Sequence, residues 1–167
     1  MANEFQGEVN ILPAIGVPGQ HMSTNPLVST QKGYCAADTV TIGGFVWEVN
    51  EKANEAFVKS TGEGAPLGLA VREITNPLGY NQPSSNTVPK GFPVSVAVKG
   101  DFAVITRSNA KVGQRVFAVH QDGSIITDTA GKTVDNATET NYKVVNINGG
   151  GAPGNIIVIS NWLNERG

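Results

Sequence analysis

The sequence predicts a mostly β fold: a single antiparallel β-barrel or sandwich-like domain with an extended N-terminal arm and long loops. Three observations carry this expectation. Short apolar runs with a period of two recur along the chain, and Gly-rich or Asp-Gly turn signals separate them. No segment holds a helical period over three turns, and Glu48–Val58 is the only stretch where a helical turn would fit. A length of 167 residues suits one domain, able to bury roughly two thirds of its unfolded surface. Gly and Pro number 20 and 9, short of the roughly 25–30% that marks disorder and in keeping with many turns between short strands.

The stretch Pro93–Thr127, PVSVAVKGDFAVITRSNAKVGQRVFAVHQDGSIIT, organises the expectation. Val94, Val96 and Val98 alternate with Ser95, Ala97 and Lys99, the pattern of a half-buried strand. Lys99-Gly100-Asp101 reads as a turn into a second strand, Phe102–Thr106. Residues 107–114 read as a connection, Arg115–His120 as a third strand, and Asp122-Gly123 as a hairpin turn leading to Ser124–Thr127. Together these predict a β-meander to which the other strands add.

Before it, residues 1–38 lack a sustained period, and Pro13, Gly16, Pro18, Gly19 and Pro26 interrupt their small apolar groups. The expectation is an arm over residues 1–38, with one short strand near Glu8–Leu12, followed by a β domain over 39–167. Thr39–Val49, TVTIGGFVWEV, places Val40 and Ile42 on one face. Gly43-Gly44 then offers a bulge or bend, and Phe45, Trp47 and Val49 share a face after it. Asn50–Asn54 reads as a polar turn, Ala56–Lys59 as a returning strand, Thr61–Gly64 as a loop, and Leu67–Ile74 as a strand with one apolar face. Thr75–Lys90, with three prolines, reads as a projecting loop. After the meander, Asp128–Asn141 reads as polar turns, and Tyr142–Ile147 and Asn155–Ser160 as the last strands, with Trp162 just beyond. The expected core is Ile42, Phe45, Trp47, Leu69, Val71, Val96, Val104, Phe117, Ile157 and Val158.

Composition argues against several functions. The net charge is −2 with Lys and Arg scattered singly, so phosphate neutralisation on nucleic acid is not expected. Charged residues are 16%, against about 25% in typical domains, which leaves neutral surface that is easier to bury on a partner. The single cysteine, Cys35, permits no intrachain disulfide and points to a reducing compartment. The first ten residues, MANEFQGEVN, lack the basic and apolar regions of a signal peptide, and no apolar run approaches the roughly 18 residues of a membrane span.

The search for an active site or cofactor site is negative. His21 and His120 lack neighbouring His or Cys in sequence, so no metal-ligand spacing exists. Gly149–Gly154 lacks the Lys-Ser/Thr of a phosphate loop. Asp101 and Asp122 read as turn residues before calcium ligands. Tyr34, Tyr80 and Trp162 read as loop aromatics with one buried edge.

The ordered pieces Val17-Pro18-Gly19, TIGGFVWEV at Thr41–Val49, Pro66–Glu73, Val88–Gly91, Val94–Phe102, Lys111–Ala118 and Asp122-Gly123 resemble the decoration, or structural cement, proteins of tailed-phage capsids. The resemblance covers roughly residues 15–127, with a looser match beyond. It implies a non-enzymatic protein without cofactors that binds the outer surface of a phage head and bridges capsomers. The implied partners are the major capsid protein and further copies of the chain as a dimer or trimer, with no nucleic acid and no membrane. The implied location is the capsid exterior of the virion, after synthesis in the bacterial host cytoplasm. The rival expectations are a carbohydrate- or receptor-binding β module of a phage fibre, which wants clustered exposed aromatics, and a small β-barrel enzyme, which wants clustered acids or histidines. The expected contact residues are Phe5, Val9, Ile11, Leu12, Ile15 and Val17. They are too apolar for a solvated tail, while Pro and Gly prevent a long regular strand.

Overall fold

The computed structural model describes residues 16–49, 56–73, 86–147 and 150–162. Among them are fourteen strands: β1 (Val28–Ser29), β2 (Tyr34–Ala36), β3 (Val40–Thr41), β4 (Phe45–Val49), β5 (Phe57–Lys59), β6 (Gly68–Ala70) and β7 (Thr87–Val88), then β8 (Pro93–Val94), β9 (Val96–Lys99), β10 (Asp101–Ile105), β11 (Arg115–Val119), β12 (Ile125–Asp128), β13 (Ala137–Asn146) and β14 (Ile156–Ser160). They form a seven-stranded sheet in the order β1-β9-β6-β4-β5-β2-β8, a five-stranded sheet β10-β14-β13-β11-β12, and a β3-β7 pair. The described strand pairings are antiparallel apart from β2 with β5.

The layers follow from where β4 sends its side chains. Phe45 and Trp47 point with Leu69 and Ala97 toward the five-stranded sheet, meeting Phe102, Val104, Val116, Tyr142, Ile157 and Ile159. Val46 points the other way, into a second core with Ala70, Val96, Val58 and Tyr34, closed by Val40 and Val88 of the β3-β7 pair. The seven-stranded sheet is therefore covered on both faces, and the fold is sandwich-like. The edges of the five-stranded sheet meet at the Thr106↔Ile125 bridge, and no sheet closes into a barrel. Each fully buried aliphatic side chain contributes about 1.5–3 kcal/mol.

Several expectations change in the structure. The run from Pro93 is not a meander, because β9 pairs with β1 and β6 while β10 pairs with β14. The chain changes sheets at Gly100, where a Cβ would lie 2.6 Å from the Phe102 ring. The Asn161 side chain fastens this crossing: it accepts from Gly100 N and donates to Val98 O, each at 2.9 Å. Only β11-β12 is a hairpin of the expected kind, with Gly123 at φ +67°.

Val98 is 38% exposed, since β9 is covered on both faces as far as Ala97 and then runs out from the layers. Val158 is half-buried because Ile157 and Ile159 take the core face and neighbours in a strand face opposite ways. The other nine expected core residues are buried. Among the described residues of Leu67–Ile74 lies the short β6, buried on both faces rather than one. Ala137–Asn141, expected as turns, begins the ten-residue β13. Thr87–Val88, at the end of the expected loop, pairs with β3. Residues 16–38 carry β1 and β2, with Tyr34 and Ala36 in the core. The expected strand at Glu8–Leu12 and polar turn at Asn50–Asn54 lie outside the described residues.

Candidate functional surface

Val17-Pro18-Gly19-Gln20 is a closed turn, with Gln20 N donating to Val17 O at 3.1 Å and Val17 N to the Gln20 Oε1 at 3.1 Å. Gly19 N then donates to Ala103 O, and Ala103 N to Gln20 O, so residues 19–22 cover the free edge of β10. Arg72 holds the turn from beneath. Its backbone N donates to Gly19 O at 2.9 Å, its Nε donates to Pro18 O at 3.2 Å, and its guanidinium also donates to Asn86 Oδ1.

Gly19 and Gly43 meet at the backbone: a Cβ on Gly19 would lie 2.4 Å from Ile42 Cγ2, and one on Gly43 would lie 2.9 Å from Gly19 N. On the other side of β4, Phe45 N donates to Gly123 O at 2.8 Å, and a Cβ on Gly123 would lie 2.0 Å from Phe45 O. Thus four separated sequence pieces, Val17-Pro18-Gly19, Ile42-Gly43-Gly44-Phe45, Arg72 and Asp122-Gly123, converge on one place.

Beside this junction lies an apolar groove of about 210 Å³, lined by Pro18, Ile42, Gly43, Ile105 and Ile125 among others. Ile105 is 42% exposed there, and Val17 is 46% exposed on the adjoining turn. Arg107 and Asp122 pair across the rim at 2.7 Å. Burial alone would raise the Asp122 carboxyl, but hydrogen bonds from Ser124 and the Arg107 guanidinium hold it below the usual range. A partner surface brought here would find apolar side chains bordered by an ion pair that already has its own partner. Such a surface suits shape-matched burial.

Of the expected contact residues, Val17 is exposed and directly precedes Pro18 of the groove lining, and Phe5, Val9, Ile11, Leu12 and Ile15 lie outside the described residues. Ile105 and Arg72 were not singled out in the sequence. Ile105 carries a usable signal, since Phe102-Ala103-Val104-Ile105 is more apolar than one buried face requires. Arg72 offers none, because a lone Arg after a strand is common.

The residues weighed for chemistry are spread apart. His120 Nε2 bonds Thr138 Oγ1 at 2.7 Å and stands edge-on to Trp47, while His21 packs against Phe102 and Cys35 is a partly buried residue of β2. Among the described residues, no three of His, Cys, Asp and Glu gather as metal ligands would. The Gly-rich segment is a packing device: a Cβ on Gly151 would lie 1.9 Å from Ala110 O. Asp101 is a buried strand residue rather than a turn residue, accepting from Ser23 and, at 2.7 Å, from Asn25. Tyr34 is buried with its hydroxyl near Glu48, and Trp162 Nε1 donates to Pro26 O at 3.0 Å under the Lys99 ammonium. Tyr80 lies outside the described residues.

An all-β domain whose separated sequence pieces build an apolar contact groove is the kind of protein that works by binding to other protein surfaces. Comparison with known families places it: residues 5–161 match the family of the XM1 gp53 minor capsid protein, and the chain belongs to that family. It is a phage capsid-associated structural protein, which puts it in the virion. Among solved structures, it resembles a chain in the capsid of Myoviridae phage XM1, at 16% identity, with a TM-score of 0.57 and 96% of each chain covered. It also resembles the N base of the head fibre gp8.5 of bacteriophage phi29, at 17% identity and a TM-score of 0.51, covering 81% of this chain and 93% of that one. At these identities the two structures speak for the fold alone. No curated protein matches the chain.

Proposed function

We propose that this protein decorates the outer surface of a phage head and stabilises the shell by bridging capsomers. It binds the major capsid protein and further copies of itself as a dimer or trimer, after synthesis in the host cytoplasm, and performs no catalysis. The observation that carries this reading is the apolar groove beside Val17, on a chain of a minor capsid protein family. The segment Phe5–Val17, with Val9, Ile11, Leu12 and Ile15 between, acts as the contact arm of an otherwise self-contained domain. Repeated sites on a shell reward such a design, because a second contact within one assembly is intramolecular.

A glycan- or receptor-binding role in a fibre would need an aromatic platform. Among the described aromatics, Phe45, Trp47, Phe102, Phe117, Tyr34 and Tyr142 are buried and Phe92 is the large exposed one, which favours the shell over the sugar. The test is to add the purified protein to phage heads that lack it. Co-sedimentation at a fixed ratio to the capsid subunit, with added resistance of the heads to heat and chelation, is the expected result. Retention on a glycan array without binding to heads would overturn the reading.

A further inference from the structure

The groove at Pro18, Ile42, Ile105 and Ile125 is open, and the direction in which the chain enters the domain bears on what fills it. The strap 19–22 runs antiparallel to β10, from Ala103 toward Asp101. The Val17–Gln20 turn folds the preceding residue back over that strap: a Cβ on Gly16 would lie 2.7 Å from Met22 Sδ. Met22 is bonded at the Asp101 end of β10, whereas the groove opens at its Ile105 end. Gly16, the first described residue, therefore sits over the Met22 end of the strap, with the groove at the other end of β10.

We infer that the groove receives the apolar segment Val9–Ile15 of a second copy of this chain, so that neighbouring copies are joined by exchanged arms. This rests on the reading of that segment as a contact arm. Fifteen residues precede Gly16, and an extended chain of that length reaches on the order of 50 Å, enough to cross to a neighbour. The chemistry matches. A groove of about 210 Å³ exceeds the roughly 150 Å³ that admits a benzene ring, and Ile11, Leu12 and Ile15 are branched aliphatics of that order. Glu4 and Glu8 precede them, and no Lys or Arg stands among residues 1–15. The Arg107 side chain, 60% exposed at the rim, has donors to offer a carboxylate beyond its pairing with Asp122. A head-to-tail exchange of this kind closes into a ring when the rotation between copies allows, which fits a dimer or trimer.

The experiment uses the full chain with Cys35→Ser. One preparation carries Ile11→Cys, and a second of different mass carries Ile105→Cys, with Thr41→Cys at the same groove as a replacement if Ile105→Cys disturbs the fold. After mixing and mild oxidation, a disulfide joining the two masses is expected in a large share of the chains, and at least tenfold less when Val112→Cys, exposed and not lining the groove, replaces Ile105→Cys. A doubly substituted chain, Ile11→Cys with Ile105→Cys, that closes on itself without cross-linking copies would overturn the inference, as would no cross-link at all. Binding of the same variants to heads is measured separately. Heads that still bind un-cross-linkable protein would sink arm exchange and leave the decoration role standing.

Discussion

Gly123 decides whether β4 and the β11-β12 hairpin can touch. Its φ of +67° is left-handed, and any Cβ would lie 2.0 Å from Phe45 O. Gly123→Ala should therefore destabilise the domain by at least about 2 kcal/mol, combining overpacking with backbone strain, read as a fall in the urea midpoint with unchanged slope. Asp101 acts at the same scale. Burial pushes its carboxyl up, but hydrogen bonds from Ser160, Ser23 and Asn25 and the nearby His21 outweigh that and hold it below the usual range. A carboxyl lowered in the folded state adds stability that is present above its unfolded pKa of about 4 and is lost as pH falls through the lower folded value. Asp101→Asn should weaken the fold by about 1–2 kcal/mol at pH 7, because charged hydrogen bonds become neutral ones. It should also flatten the acid limb below about pH 4, measured as stability against pH. An acid limb as steep as in the parent chain would remove Asp101 from this role. Tyr142 works in the other direction, since burial first and the Asp101 charge second raise its hydroxyl far above its ordinary value, so its contribution is lost only in alkali.

At the scale of elements, sheet crossings matter more than single strands. The step from β9 to β10 at Gly100 is held by Asn161 from the end of β14, and Trp162 next to it donates to Pro26 near β1. This C-terminal clasp ties both sheets together. Asn161→Ala should cost about 1–3 kcal/mol, since Gly100 N and Val98 O lose their partner together, and amide exchange at Gly100 should quicken more than at Phe117. Equal quickening at both sites would mean global loosening and no local clasp.

The same crossing explains which parts of the fold the sequence could convey. Apolar runs bounded by turn signals mark β4, β10 and β11, where Trp47, Val104 and Phe117 are buried. Sheet membership was hidden, because Lys99-Gly100-Asp101 looks the same whether it closes a hairpin or passes from one sheet to another. The β13 start at Ala137 was hidden too, since Thr138, Glu139, Thr140 and Asn141 lie at a partly solvated edge of the core and carry no apolar signal. The groove itself was half legible. Its glycines and Pro18 stand among the pieces that carry the family resemblance, but their convergence depends on contacts between residues far apart in the chain.

For the whole molecule, the described domain accounts for its own core, and the contact arm is proposed to lie ahead of it. The Val17–Gln20 turn is bonded into the β10 edge, so a clean truncation falls before Gly16. A chain of residues 16–167 should melt within a few degrees of the full chain while losing most of its retention on heads, checked by calorimetry and co-sedimentation. Unfolding of the truncated chain would place the arm in its own core. The central claim, that this capsid-associated protein works as an external decoration, is tested most directly by electron cryo-microscopy of heads with and without it. The account predicts difference density at repeated positions on the outer surface, touching more than one capsomer. Density confined to the shell interior or to a single vertex would contradict it.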